Sequence, residues 1–189
     1  MKKKITLAVI CAVLSCVCLI GTTFAWLTDK TTTMTNTFTV GNVDIDLVET
    51  TGTTYKMVPG AELSKDPTVI VTGGSEACWL FVKIEETDNT LIDTTKKLVQ
   101  YTVADGWIQL EVDGNPVNGV YYRQVDANSS TGVVDAVTYS VLASDQVIIN
   151  PDATAADLAN ATNTKLTFTA YAAQQAGLTA EQAWALFTA

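Results

Sequence analysis

The sequence predicts an all-β protein, a sandwich or barrel of short strands with one or two short helices, and three observations carry that prediction. Threonine and valine supply 30 and 21 of the 189 residues, and both are β-branched types that suit a pleated surface. Charged residues make up only 16%, against the roughly 25% of an ordinary soluble chain. Short apolar–polar alternations recur between Gly, Pro, Asn and Asp, the punctuation of a many-stranded fold.

The elements follow in order. Over residues 35–48, Phe38 and Val40, then Val43, Ile45 and Leu47, alternate with Thr39, Asp44 and Asp46. The phase changes at Gly41-Asn42, as where a glycine marks a bulge or kink between two strand halves. Asp44 and Asp46 share a face, and a cation site is one reading of them. Oxygen ligands at calcium-loop spacing do not follow, and the solvated face of a half-buried strand accounts for both. Val58-Pro59-Gly60 is a turn. Lys65-Asp66-Pro67 leads into a strand over 68–72, where Pro67 suits a strand's first position, and Gly73-Gly74 ends it. Residues 78–86 make a long strand with Cys78, Leu80, Val82 and Ile84 on one face and Trp79, Phe81, Lys83 and Glu85 on the other. Trp79 and Phe81 predict that both faces are partly covered.

Residues 98–103, 107–112 and 120–125 read as strands, and Asp113-Gly114-Asn115-Pro116 turns the last two into a hairpin. Residues 127–132 are a polar loop, and 136–142 and 146–149 are further strands. Asn150-Pro151-Asp152 turns into an Ala-rich helix over 153–161, whose only large apolar residue is Leu158. In the last strand, 165–173, Leu166, Phe168 and Ala170 alternate with Thr167, Thr169 and Tyr171. Gly177 ends it. Thr179-Ala180-Glu181-Gln182 is a capping box, and the spacing of Ala183, Trp184, Leu186 and Phe187 predicts a short helix that buries this face on the sandwich.

The N-terminus has the form of an export signal. Lys2, Lys3 and Lys4 open it, residues 5–21 are uncharged and mostly apolar, and Thr23-Phe24-Ala25 offers small residues at −3 and −1 of a cleavage site. Cleavage is expected between Ala25 and Trp26. An uncleaved anchor is the alternative, since the run lies at the short edge of spanning length; lipidation at Cys16 is a third, poorly served by the bulky Leu14. The expected organisation is a signal peptide over 1–25, a flexible Thr-rich segment over 26–37 and a β-sandwich domain over 38–189.

Without the signal, eight basic residues face twenty acidic ones, a net charge of −12. No basic patch is present, so nucleic acid and anionic lipid are not expected as partners, and contact with the membrane is expected only in passing, through the signal peptide. The chain contains no histidine, which removes Ser–His–Asp and Cys–His nucleophiles, HExxH zinc hydrolysis and His-ligated metals. No cofactor is expected. Cys11, Cys16 and Cys18 lie in the signal, leaving Cys78 alone. A buried small hydrophobe is its plain reading; an intermolecular disulfide or reactive thiol is the other.

Two stretches near the N-terminus, Thr23-Phe24-Ala25-Trp26-Leu27-Thr28-Asp29 and Asn36-Thr37-Phe38-Thr39-Val40-Gly41-Asn42-Val43-Asp44-Ile45, resemble the start of camelysin/TasA-like proteins, secreted proteins of Gram-positive bacteria. Val58-Pro59-Gly60 with Lys65-Asp66-Pro67, and residues 166–174 followed by Ala183-Trp184, fit the same group; residues 88–150 carry no such motif. The resemblance implies a jelly-roll-like β-sandwich, a signal cut by a dedicated ER-type signal peptidase, and a biofilm-matrix or cell-surface protein. It also implies that the segment freed by cleavage, Trp26, Leu27, Thr28, Asp29, Lys30, Thr31, Thr32 and Thr33, completes the sheet of the next subunit in a fibre. The partners would then be copies of the chain itself, joined head to tail, or related matrix proteins. A strand added to a sheet edge gains main-chain hydrogen bonds, and a head-to-tail contact that does not close makes a filament. A disordered tail, or a strand paired within its own domain, is the plain reading of the same residues. Some camelysin-like proteins are grouped as peptidases, and the absence of histidine departs from any ordinary zinc peptidase.

Three functions compete. A secreted fibre or matrix subunit is expected first. A monomeric adhesin or carbohydrate-binding jelly roll would need Trp79, Trp107, Tyr121 and Tyr122 exposed for stacking on sugars, whereas such aromatics more often build cores. An enzyme would need a carboxylate pair, and Glu85-Glu86 and Asp44/Asp46 are the patterned pairs; surface charge explains both, and catalysis is not expected.

Overall fold

In the computed structural model, residues 42–52, 54–92 and 95–188 are described. Ten strands form there, and every pairing between them is antiparallel. In chain order they are β1 (Ile45–Val48), β2 (Glu62–Ser64), β3 (Thr68–Val71), β4 (Cys78–Thr87), β5 (Val99–Gln100), β6 (Ile108–Val112), β7 (Asn115–Val125), β8 (Val137–Ser140), β9 (Gln146–Ile149) and β10 (Lys165–Gln174). Two short helices accompany them, α1 (Ala155–Asn160) and α2 (Ala180–Ala185).

One layer has the order β10-β4-β7-β6. The other comes as two three-stranded pieces, β1-β3-β8 and β2-β9-β5, that continue into each other. Lys65 N donates to Asp145 O and Val141 N to Pro67 O, so β2 runs on into β3 alongside β9 and β8. Between the pairs Ser64↔Gln146 and Thr68↔Ser140 the second strand has two extra residues. A 3₁₀ turn, Ala143–Asp145, absorbs them, and Ser144 and Asp145 take φ of 58° and 50° there. The layer is thus one sheet with a bulge across its middle, with β1 and β2 along one edge and β8 and β5 along the other.

The main core lies between the layers. Leu80, Val82 and Ile84 of β4 meet Val69 and Val71 of β3 and Val147 and Ile149 of β9. From β3 to β6 each strand lies in the layer opposite the one before it, and β7 then pairs back beside β6. The second face of β4 is also covered, because Phe81 packs with Leu110, Val120, Ala183 and Trp184 under α2. The expectation that both faces of this strand are occupied is met, and so is the capping box: Thr179 Oγ1 accepts from Gln182 N, and Gln182 Oε1 from Thr179 N. Gly119 has φ +69°, and a Cβ on it would lie 2.2 Å from Ile84 O, so the close approach of β7 to β4 requires glycine.

Several expectations need correction. The turn expected over residues 113–116 is only Asp113-Gly114, at φ 52° and 75°, the two-residue hairpin turn with both residues left-handed. Pro116 instead lies inside β7, opposite Glu111. It is tolerated because β4 pairs with β7 only from Val120 onward, which leaves β7 an edge at Pro116. The strand expected over 98–103 is a ladder at Val99–Gln100 plus an isolated bridge from Val103 to Leu142. Leu186 does not join the buried face of α2: the helix ends at Ala185 and Leu186 is 62% exposed, whereas Phe187, 37% exposed, still packs its ring on Phe81, Tyr171 and Trp184. The phase change at Gly41-Asn42 and residues 35–41 lie outside the described residues.

Candidate functional site

The signal cleavage pair Ala25 and Trp26, and the donor-strand residues Trp26, Leu27, Thr28, Asp29, Lys30, Thr31, Thr32 and Thr33, all lie outside the described residues. The described residues show what the sandwich offers to a partner.

Beside β10 the layers part. A cleft of about 490 Å³ opens there. Its floor is apolar, with Leu63, Val147, Ile149 and Leu166, and Tyr55 and Met57 stand over it from the segment that leads from β1 to β2. At its base lies Lys65, only 8% exposed. Its Nζ is 2.6 Å from Glu49 Oε1 and faces the rings of Tyr55 and Phe168 at 5.5 and 5.3 Å. A buried ammonium requires such a carboxylate, since desolvating an unpaired charge is costly. Glu49 is positioned in turn by the hydroxyls of Thr51 and Tyr55, at 3.1 and 3.2 Å.

Asp66 clamps the same segment. Its Oδ1 accepts from Thr50 N at 3.0 Å, Thr51 N at 2.9 Å and Thr51 Oγ1 at 2.8 Å, and its Oδ2 accepts from Thr50 Oγ1. The hydrogen bond from the Thr50 hydroxyl, then that from the Thr51 amide, hold its carboxyl far below the usual range. In the sequence Lys65-Asp66-Pro67 marked only a strand start. The partners Glu49 and Phe168 are 16 and 103 residues from Lys65, beyond any periodicity, and an isolated lysine in an acidic chain was the only sign of this site.

On the opposite side of the sandwich Arg123 fills the gap between the layers. Its guanidinium lies 3.7 Å from the centroid of Tyr139 and 5.3 Å from that of Trp107. Its Nε is buried without a hydrogen-bond partner. Burial lowers its pKa.

The other sequence candidates are spoken for. Trp107 is 8% exposed and donates Nε1 to Ser140 O, and Trp79 donates Nε1 to Leu178 O, both at 2.9 Å. Tyr121 packs against the inter-layer core, while Tyr122 packs against Trp79 and Phe81 under the second face. The four therefore form no joint sugar platform. Glu85 pairs with Lys83 at 2.7 Å. Glu86 takes hydrogen bonds from Lys97, Tyr101 and Asn89; burial opposes its charge, and these bonds together with the Lys97 charge outweigh that and hold its carboxyl below the usual range. The two adjacent carboxylates thus serve separate contacts instead of a shared reacting centre. Asp44 and Asp46 are exposed. Cys78 is fully buried, and burial pushes its thiol up to about 11, so it behaves as a small hydrophobe and not as a nucleophile.

Residues 1–94 match the family model described as camelysin metallo-endopeptidase. Comparison with curated proteins and with solved structures gave no significant match. The family description implies a metal, and the donor set does not fit one. The sequence has no histidine, and among the described residues no group of three or more Cys, Asp or Glu could hold an ion.

Proposed function

On the premise that the chain belongs to the camelysin/TasA-like family, we propose that it is a secreted structural protein of the cell surface or biofilm matrix. Its signal peptide is removed after Ala25 by a signal peptidase, and the freed segment from Trp26 to Thr33 adds as a strand to the next copy, building a fibre head to tail. The family match supports the first statement. The second is supported by a sandwich whose β10 edge has no strand partner among the described residues. Such an edge can take on a further strand through main-chain hydrogen bonds. The separated carboxylates, the inert thiol and the missing donor set all favour a structural role over catalysis.

The test compares chains starting at Trp26 and at Met34 by negative-stain electron microscopy and sedimentation. The longer chain is expected to form filaments and the shorter to stay monomeric. Filaments from both, or from neither across concentration and acid changes, would remove strand donation from the reading.

A further inference from the structure

We propose that the cleft beside β10 is a binding site for a free single-chain amphiphile, an alkyl chain with a carboxylate head. The assignment does not depend on strand donation. The cleft holds about 490 Å³, within the roughly 300–1,000 Å³ of small-molecule sites, and its lining has an apolar part and a polar part. In the apolar part Met57, Leu63 and Leu166 pack against the main core and yet stay half-buried. They continue a floor whose other members, Val147 and Ile149, are buried. An alkyl chain laid there removes the remaining apolar surface from water.

The polar part is built on Lys65. An ammonium carries three N–H donors. One goes to Glu49 Oε1 at 2.6 Å, and the rings of Tyr55 and Phe168 lie 5.5 and 5.3 Å from the nitrogen. Among the described residues no second acceptor takes the other two N–H groups, although the residue is only 8% exposed. A buried donor without an acceptor is costly. Lys65 lines the cleft, so a ligand oxygen seated there supplies what the protein does not.

The sign of the head follows from the rest of the lining. Its charged residues are Lys65 and Lys165, and no Asp or Glu joins them, in a chain with 20 acidic residues against 11 basic ones. Lys165 is exposed and makes no ion pair among the described residues. Glu49 already balances Lys65, so Lys165 is the charge left for a ligand. A locally cationic site on an acidic protein selects an anion. An inorganic anion would leave the apolar part wet, and an alkane would leave the Lys65 N–H groups unmet. The class that satisfies both parts is amphiphilic.

The test titrates the chain starting at Trp26 with decanoate, decanol and decyltrimethylammonium by isothermal calorimetry, at concentrations where each is monomeric. Saturable one-to-one binding of decanoate is expected, at least tenfold tighter than decanol, with none for the ammonium. Lys165→Gln is expected to weaken decanoate at least threefold more than decanol. Glu49→Gln with Lys65→Met, which leaves no unpaired charge beside the cleft, is expected to abolish the preference for decanoate over decanol. If that double variant does not fold, Lys165→Gln and the head-group series decide. Equal affinity for decanoate and decanol, or a preference that survives both variants, overturns the assignment. Uptake on phosphatidylglycerol vesicles without saturable binding of monomeric decanoate assigns the head-group recognition to a lipid surface and overturns the cleft. Binding confined to the chain starting at Met34 shows that residues 26–33 already fill the cleft, and overturns the amphiphile as its occupant. Absence of binding in both chains overturns the site.

Discussion

On the β1–β10 side of the sandwich Lys65 lies between Tyr55 and Phe168 and is paired with Glu49. On the β5–β6 side Arg123 lies on Tyr139 and near Trp107, and among the described residues no carboxylate pairs with it. Both sides place a cation on aromatic rings between the layers, and only the lysine has an anion. The difference follows from the side chains. An ammonium is compact and strongly hydrated, so burying it requires a counter-charge, whereas a guanidinium is weakly hydrated and stacks flat on rings. The side that needs a counter-charge is also the side with the cleft, which Tyr55 and Met57 of the segment after Glu49 line together with Lys65. On the arginine side Trp107 and Tyr139 flank the guanidinium, and the bridge from Val103 to Leu142 lies close to both in the chain.

The largest effect expected from breaking this comparison is at Glu49. Glu49→Ala strands the Lys65 ammonium, and a loss of about 3 kcal/mol is expected, the low end for a broken buried pair because Glu49 keeps some contact with water. Urea unfolding would show it as a lower midpoint at unchanged slope. Replacing both partners, Glu49→Gln with Lys65→Met, is expected to recover most of that loss. If the double variant is no more stable than Glu49→Ala, Glu49 acts through the shape of its segment and not through its charge.

On the other side Arg123→Met strands no opposite charge. A loss of about 1–2 kcal/mol is expected from the cation–ring contacts and the packed stem. A loss equal to that of Glu49→Ala would show that the two sides are built alike after all. Trp107→Phe keeps a ring for Arg123 but gives up the hydrogen bond to Ser140 O. About 1 kcal/mol is expected, and a double-mutant cycle with Arg123→Met should show weak coupling, since most of the tryptophan's loss lies in the hydrogen bond.

The two cation sites were equally hidden in the sequence, whereas local elements were legible. The long alternation of β4 showed both of its faces, and Thr179 to Gln182 showed the start of α2, because each signal lies within one local period. Asp113-Gly114 located the hairpin, but Pro116 was placed outside the strand. Its tolerance depends on where β4 begins to pair with β7, a fact held at Lys83, 33 residues away. Lys65, Glu49 and Phe168 come from three separate parts of the chain, as do Arg123, Tyr139 and Trp107. A cation and its rings carry no periodic mark until the sheets bring them together. The aromatics considered for sugar binding show the converse, since residue type alone did not reveal that Trp79 and Trp107 spend their N–H groups on Leu178 and Ser140.

The smallest effect expected is in the pH dependence, and it belongs to the lysine side. Asp66 is held far below the usual carboxylate range by the Thr50 hydroxyl and the Thr51 amide, with the Thr51 hydroxyl and Thr50 amide adding to them. A carboxyl lowered in the folded state contributes stability above its unfolded pKa, about 4, and that contribution is lost as pH falls toward the folded value. Asp66→Asn keeps one acceptor oxygen for the Thr50 and Thr51 amides but gives up the one that the Thr50 hydroxyl uses and removes the titration, so stability should fall at pH 7, by less than in Glu49→Ala, and decline less steeply below pH 4. Glu86 and Asp157, whose carboxyls are also lowered, should preserve part of the acid limb in that variant. Arg123→Met should leave the limb as steep as in the parent, because Arg123 contacts rings and no lowered carboxylate. A limb equally steep in Asp66→Asn would mean that the clamp on residues 50 and 51 is already open in acid, and that the cleft beside β10 loses its upper wall before the sandwich unfolds.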